Sequence, residues 1–198
     1  MLRLPKILRR ALLALAVVAA PPLGYAGYLR STGNVHTVEP DRVYRSGQLG
    51  PAALQRLIDD RHIRSIINLR GVNPDQQWYR DELLVADENG VKEISIGISA
   101  RKEPSLATLR RIEAAMRTAP KPLLIHCMGG ADRSGLASAI YDYAIGGRTA
   151  EVARGQLSFA YGHFPWLLGE TAAMDRAFDD FVQQMDASKD PAAGETSE

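Results

Sequence analysis

Between Val43 and Ile145 short apolar runs alternate with stretches of helical period, and this alternation limits the possible folds more than any other feature of the chain. Val43-Tyr44-Arg45-Ser46 reads as a short strand, followed by turn residues from Gly47 to Pro51. Pro51 suits the first turn of a helix running to about Asp60, with Leu54, Leu57 and Ile58 on one face. Ile63 to Leu69 is a β-branched run of buried-strand length, ended by Gly71 and Pro74. Gln76 to Glu88 is helical and closes on Asn89-Gly90, a C-cap signal. Val91 to Ile98 alternates as a strand does, Ser105 to Thr118 is an amphipathic helix, and Pro122 to His126 is a short apolar strand. Helices follow over Arg133 to Ile145, Ala150 to Ser158 and Glu170 to Met185. The order predicts an α/β domain with a central, mostly parallel sheet of four to five strands flanked by helices.

The chain's 198 residues, 45% hydrophobic and 24% charged, suit one globular domain and exclude a disordered or polytopic membrane chain. A single cysteine excludes an intramolecular disulfide and a Cys-rich zinc site. The formal charge of +1 hides an asymmetry. Residues 1–34 carry Arg3, Lys6, Arg9, Arg10 and Arg30 without an acid, so 19 of the 24 basic residues face all 23 acidic ones in the rest. Such a body offers no electrostatic attraction to nucleic acid. From Ala11 to Leu29 run 19 uncharged residues, which as a helix would rise about 28 Å, close to the ~30 Å of a bilayer core. With the basic start, residues 1–30 read as an uncleaved membrane anchor, or alternatively a cleaved signal, although Pro21-Pro22 divides the run. The basic excess before the span places the body outside the cytoplasm, periplasmic if the source is bacterial, or secreted if the signal is cleaved. Residues 31–40 have linker composition, residues 41–185 form the expected domain, and residues 186–198 a polar tail expected to be disordered.

Leu123-Leu-Ile-His-Cys-Met-Gly-Gly-Ala-Asp-Arg-Ser-Gly135 carries the chemistry. A strand-to-helix loop with two glycines can turn its backbone N–H groups inward to make a phosphate-binding cradle. The helix start adds unpaired donors and a partial positive charge. Arg133 offers a planar fork to two phosphate oxygens. Cys127 at the base of such a cradle is surrounded by donors and positive potential, which favours the nucleophilic thiolate. A thiolate beneath a bound phosphate can attack phosphorus in line and form a phosphocysteine that water then hydrolyses. No metal or other cofactor is needed, because Arg133 and the loop amides neutralise the transferring oxygens. The histidines, at 36, 62, 126 and 163, lack metal-ligand spacing.

His126-Cys127-x5-Arg133-Ser134-Gly135 resembles the signature of the cysteine-based protein tyrosine phosphatase superfamily. Val43-Tyr44-Arg45-Ser46-Gly47-Gln48, Ile66-Ile67-Asn68-Leu69-Arg70 and Lys102-Glu103-Pro104 are similar to segments of atypical dual-specificity phosphatases of the plant and fungal type and their bacterial relatives. The resemblance spans residues 41–185 and implies a phosphomonoester hydrolase with Cys127 as nucleophile and Arg133 as phosphate clamp. Met128, Gly129, Gly130, Ala131 and Asp132 would supply amide donors. Ser134 would hydrogen-bond the Cys127 sulfur and ease its departure, and His126 would hold the loop and the thiolate in place. The implied substrate is a phosphorylated protein or a small phosphoester, with inositol or lipid phosphates as the alternative. A rhodanese-like sulfurtransferase or a non-catalytic phosphate-binding module is less favoured by the retained Cys127, Arg133 and Ser134.

The leaving oxygen needs a proton. In many tyrosine phosphatases an aspartate on a loop before the preceding helix gives it, but here that loop, Gly97 to Pro104, has none. Asp132, inside the loop beside Arg133, resembles the acid of some bacterial phosphatases. It would equally serve to orient Arg133 or to cap the following helix. Glu103 is the second choice. Arg101 and Lys102 read as solvated charges, Arg45 and Arg70 as pocket borders or structural ion pairs, and His163 as a core or turn histidine.

Overall fold

The computed structural model describes residues 5–189. Helix α1 (Lys6–Ser31) leads into a five-stranded sheet made of β1 (His36–Glu39), β2 (Val43–Ser46), β3 (Ser65–Asn68), β4 (Lys92–Ser95) and β5 (Leu123–His126). Its order is β1-β2-β5-β3-β4, with β1 antiparallel to β2 and the other neighbours parallel. The helices are α2 (Pro51–Arg61), α3 (Gln77–Glu88), α4 (Leu106–Thr118), α5 (Asp132–Ala144), α6 (Ala150–Arg154), α7 (Pro165–Leu168) and α8 (Ala172–Lys189), with a 3-10 turn at Phe159–Tyr161.

Side-chain alternation divides the core into two layers. Val43, Ile67, Leu123 and Ile125 pack with Ile112, Met116, Leu136, Phe178 and Phe181 of α4, α5 and α8. Tyr44, Ile66 and Leu124 pack with Leu54, Leu57, Ile58 and Val85 of α2 and α3. Each fully buried aliphatic side chain contributes roughly 1.5–3 kcal/mol. β5 lies at the centre and all four of its residues are buried. The chain passes from β2 to β3 and returns later to insert β5 between them, so the crevice of this switch point opens at the carboxyl ends of the strands. Ser46, His126 and Asn68 are in register there.

The expected linker 31–40 is corrected. It holds β1, with Val38 in the core and Asn34 2% exposed. A four-residue edge strand with a single core-facing residue carries almost no apolar signal, which is why its composition reads as linker. The 3-10 turn and α7 were not expected either. α6 stops at Arg154, short of Ser158, and α8 carries the domain past residue 185 to Lys189. The rest of the expected tail, 190–198, lies outside the described residues, as do residues 1–4. Among the described residues no helix is long and apolar enough to cross a membrane. α1 has 26 residues, but Pro21 and Pro22 sit inside it and its C-terminal half mixes glycines and tyrosines with few aliphatic residues. That end of α1 docks on the domain. Leu29 is buried, and Tyr25 donates to the Ala160 carbonyl at 2.6 Å and stacks on Phe159.

Candidate active site

β5 ends at His126, Cys127 follows, and α5 begins at Asp132. Cys127 is 2% exposed, and its sulfur accepts the Gly130 N–H at 3.3 Å. The four carbonyls that follow the cysteine's own are each taken by a donor outside the loop. Gln48 N donates to Met128 O at 3.1 Å, and Asn34 Nδ2 to Gly129 O at 2.9 Å. Arg45 Nη2 donates to Gly130 O at 2.8 Å and Ala131 O at 2.9 Å. A peptide plane whose carbonyl is held outward presents its N–H to the opposite side, so these bonds orient the amides of the cradle. Gly130 has φ +73°, and a Cβ there would lie 2.5 Å from Gly47 N, which requires glycine.

Arg45 is the buttress of the loop. It is fully buried, its Nη1 donates to Gln156 O and Gln156 Oε1 at 2.7 and 2.8 Å, and its guanidinium lies over the Tyr161 ring. Burial lowers its pKa to about 10, against the pull of Tyr161, Cys127, Asp132 and Asp142, so it remains a cation near neutrality. At Gly135 a Cβ would meet Gln156 O at 2.9 Å, so the first turn of α5 can pass over this arginine only with glycine there.

Arg133 is tethered through Nη1 to Ile98 O at 3.2 Å and Leu69 O at 3.4 Å, at the ends of β3 and β4. Its Nε is buried without a partner among the described residues. The Ser134 hydroxyl donates to Ser46 O at 3.2 Å and not to the Cys127 sulfur, which corrects the contact expected from the resemblance. His126 Nε2 lies 3.1 Å from Glu82, a carboxylate of α3 that also accepts from Gln48 Nε2 at 2.8 Å and Asn68 Nδ2 at 2.9 Å. Burial pushes the Glu82 pKa up, but the hydrogen bonds from His126, Gln48 and Asn68 and the nearby imidazole outweigh it, so the net shift is downward. Arg70 stacks on Trp78 at 3.5 Å and donates to Gln48 Oε1 at 3.2 Å.

A family model described as "DSP-PTPase phosphatase fused to NAD+ Kinase" matches residues 18–167, more than half of the chain. The chain belongs to this phosphatase family. It is a cysteine-dependent phosphatase of the dual-specificity type. No curated protein matches it significantly. Among solved structures it is similar to the core catalytic domain of the PP-IP phosphatase Siw14 from S. cerevisiae in complex with citrate, at 22% identity over 80% of this chain and 93% of that one, TM-score 0.58. It is similar to PTPMT1 at 16% identity over 78% and 98%, TM-score 0.61. A third is P. aeruginosa TpbA, as a cysteine-to-serine variant in complex with phosphotyrosine, at 19% identity over 76% and 91%, TM-score 0.53.

The phosphatase keeps Asp132 on the outer side of the loop. Its Oδ1 lies 2.7 Å from Nδ1 of His163, whose Nε2 lies 2.9 Å from Asp175 Oδ2. Asp132 lines a cleft of about 650 Å³ beneath α1, together with Met128, Gly129, Leu29, Tyr161 and Phe164. Neither Cys127 nor Arg133 lines this cleft, so it adjoins the phosphate cradle and is a separate space. Glu103 is bound by Arg176, and Arg101 pairs with Glu170 at 3.0 Å on the surface. Both therefore lie in exposed ion pairs. Among the described residues no group of His, Cys, Asp or Glu is placed to hold a metal.

Sequence reasoning missed Asn34, Glu82, Gln156 and Asp175. Only Glu82 carried a signal. It follows Tyr79 and precedes Val85 and Ala86 on the buried stripe of α3, where an acid is out of place unless it is paired.

Proposed function

We propose that Cys127 is the nucleophile of this phosphatase, Arg133 its phosphate clamp and Asp132 its general acid. The observation that carries the reading is the set of outward-held carbonyls from Met128 to Ala131 around a buried cysteine sulfur that already accepts a loop N–H. In the first step the Cys127 thiolate attacks phosphorus, the ester P–O bond breaks, and the leaving oxygen takes a proton from Asp132. In the second, water attacks the phosphocysteine and gives a proton to the Asp132 carboxylate, and the P–S bond breaks to release inorganic phosphate and thiolate. The amides of Met128 to Asp132, of which Gly129 to Asp132 belong to the peptide planes whose carbonyls are held outward, and the Arg133 guanidinium bind the transferring oxygens, whose charge changes most in the transition state. His126, fixed by Glu82, holds the strand end from which the loop starts, and Ser134 ties α5 to β2.

For the substrate we favour a phosphotyrosine protein. Among the similar structures, TpbA binds phosphotyrosine in its complex. Inositol or lipid phosphates are the alternative. For location we propose that the body lies outside the cytoplasm, on the strength of the basic start and the uncharged run alone. Protease accessibility in intact and lysed cells tests that placement.

Hydrolysis of p-nitrophenyl phosphate by the full chain, beside Cys127→Ser and Arg133→Ala, tests the assignment of roles. Turnover that survives a chelator, is blocked by vanadate and vanishes in both variants is expected. Near-full activity of either variant would overturn that residue's role.

A further inference from the structure

His163 is 1% exposed, yet both of its ring nitrogens face carboxylates, Asp132 at 2.7 Å and Asp175 at 2.9 Å. A neutral imidazole carries one N–H, so it can serve one of these acceptors and must set a lone pair against the other. Burial disfavours its charge, but the hydrogen bonds to Asp132 and Asp175 and the two negative charges outweigh burial, so His163 is held above its ordinary 6.5. Only the imidazolium form donates at both ends, and the raised pKa favours that form. It takes Asp132 by Oδ1. Asp132 Oδ2 has no partner among the described residues, and the side chain lines the cleft beside Met128 and Gly129.

We propose that Asp132, His163 and Asp175 act as one unit in which His163 is the positioning residue of the general acid, an inference that rests on Asp132 being that acid. The segment between the 3-10 turn and α7 carries the ring, and Asp175 in the first turn of α8 fixes it from behind. While Asp132 Oδ2 carries its proton, the Asp175 carboxylate and the bond to Asp132 Oδ1 hold the imidazolium, and when that proton passes to the leaving oxygen the new carboxylate forms beside a cation already in place, so little rearrangement accompanies the charge change. In the second step Oδ2 takes a proton from the attacking water and the unit returns to its first state. His163 keeps both of its protons throughout. Two other cations act on the unit, Arg45 on Asp132 and Arg154 of α6 on Asp175. Both are guanidinium groups that stay charged over the working range, so His163 is the cation of the unit that can be lost on titration.

The test measures kcat and KM of the full chain against pH with p-nitrophenyl phosphate and with phenyl phosphate, whose leaving group is poorer. His163→Gln keeps one donor and removes the charge. It is expected to lower kcat for phenyl phosphate by roughly tenfold to a hundredfold, with about threefold or less for p-nitrophenyl phosphate, because only the poorer leaving group depends on the proton. Its alkaline limb in kcat/KM for phenyl phosphate should move up by about one pH unit or more, as expected when an opposite charge is taken from a group's side. Asp175→Asn should give a smaller, equally selective loss. Equal losses with both substrates and an unmoved limb would make His163 a fold element and overturn the inference. If the variants fail to fold, NMR titration of the wild-type imidazole still decides. Loss of its proton well above 6.5 supports the unit, and loss at or below 6.5 overturns it. Asp132→Asn separates the two levels. Equal loss on both substrates in that variant overturns Asp132 as the acid, whereas selective loss there without it in His163→Gln overturns only the role of His163.

Discussion

The loop from Cys127 to Ser134 is gripped from two sides, and the two grips use different chemistry. On the side of the sheet, neutral carbonyls meet Gln48 N, Asn34 and the buried Arg45, while Glu82 gathers Gln48, Asn68 and His126 beneath the strand ends. On the outer side, His163 links two acidic side chains, Asp132 and Asp175, through two hydrogen bonds. The first grip fixes directions: removing a partner strands buried polar groups and lets the loop amides turn. The second fixes a charge, and solvent pH can change it. The first grip sets the geometry of the loop, and the second is the place of the proposed proton transfer.

The largest effect expected from breaking the first grip comes from Arg45→Met. It removes donors to Gln156, Gly130 and Ala131 at once. About 3–5 kcal/mol of stability should be lost with all measurable turnover, because the carbonyls stay buried without partners. Urea midpoints check this, and a loss under about 1 kcal/mol would mean the loop does not need its buttress. Glu82→Gln comes next, at about 2 kcal/mol near neutrality. The folded value of Glu82 lies below its ordinary 4.5, so its contribution is complete above 4.5 and is lost as pH falls through the folded value. The variant should therefore approach wild type on acidification, which stability curves at several pH values will show. Asn34→Ala removes the bonds to Gly129 O and Tyr161 O, for about 1–2 kcal/mol and roughly a tenfold fall in kcat/KM.

The outer grip should respond with the opposite sign. The folded value of His163 lies above 6.5, so its stabilising contribution is complete below 6.5 and fades as pH rises through the folded value. The stability gap between wild type and His163→Gln should then narrow on the alkaline side, where that of Glu82→Gln stays constant. The smallest effect belongs to Arg101→Ala. Its pair with Glu170 leaves the two side chains 75% and 62% exposed, so about 0.5 kcal/mol or less should be lost, with turnover unchanged.

The inner half of the site was largely legible in the sequence, the outer half hardly at all. β2, β3 and β5 announce themselves by runs of buried residues, and Cys127, the glycines and Arg133 sit in one continuous stretch between a strand and a helix. Periodicity and local spacing suffice there. Asn34, His163 and Asp175 come from a turn, an irregular segment and a helix start far apart in the chain, and they meet only through packing. Their residue types are common on surfaces, so no pattern of spacing distinguishes them. Arg45 was legible as a residue but not as a role. An arginine within a strand of four fully buried residues must find acceptors, yet the sequence does not say that these are carbonyls of the loop.

The central claim, that Cys127 carries the phosphoryl group between the two steps, is tested most directly by rapid acid quench of the full chain turning over p-nitrophenyl phosphate, followed by peptide mass analysis. The account predicts one added phosphoryl group on the peptide containing Cys127 early in turnover, absent in Cys127→Ser and accumulating in a variant whose second step is slowed. Full turnover with no modified cysteine at any time, or activity retained by Cys127→Ser, would contradict it.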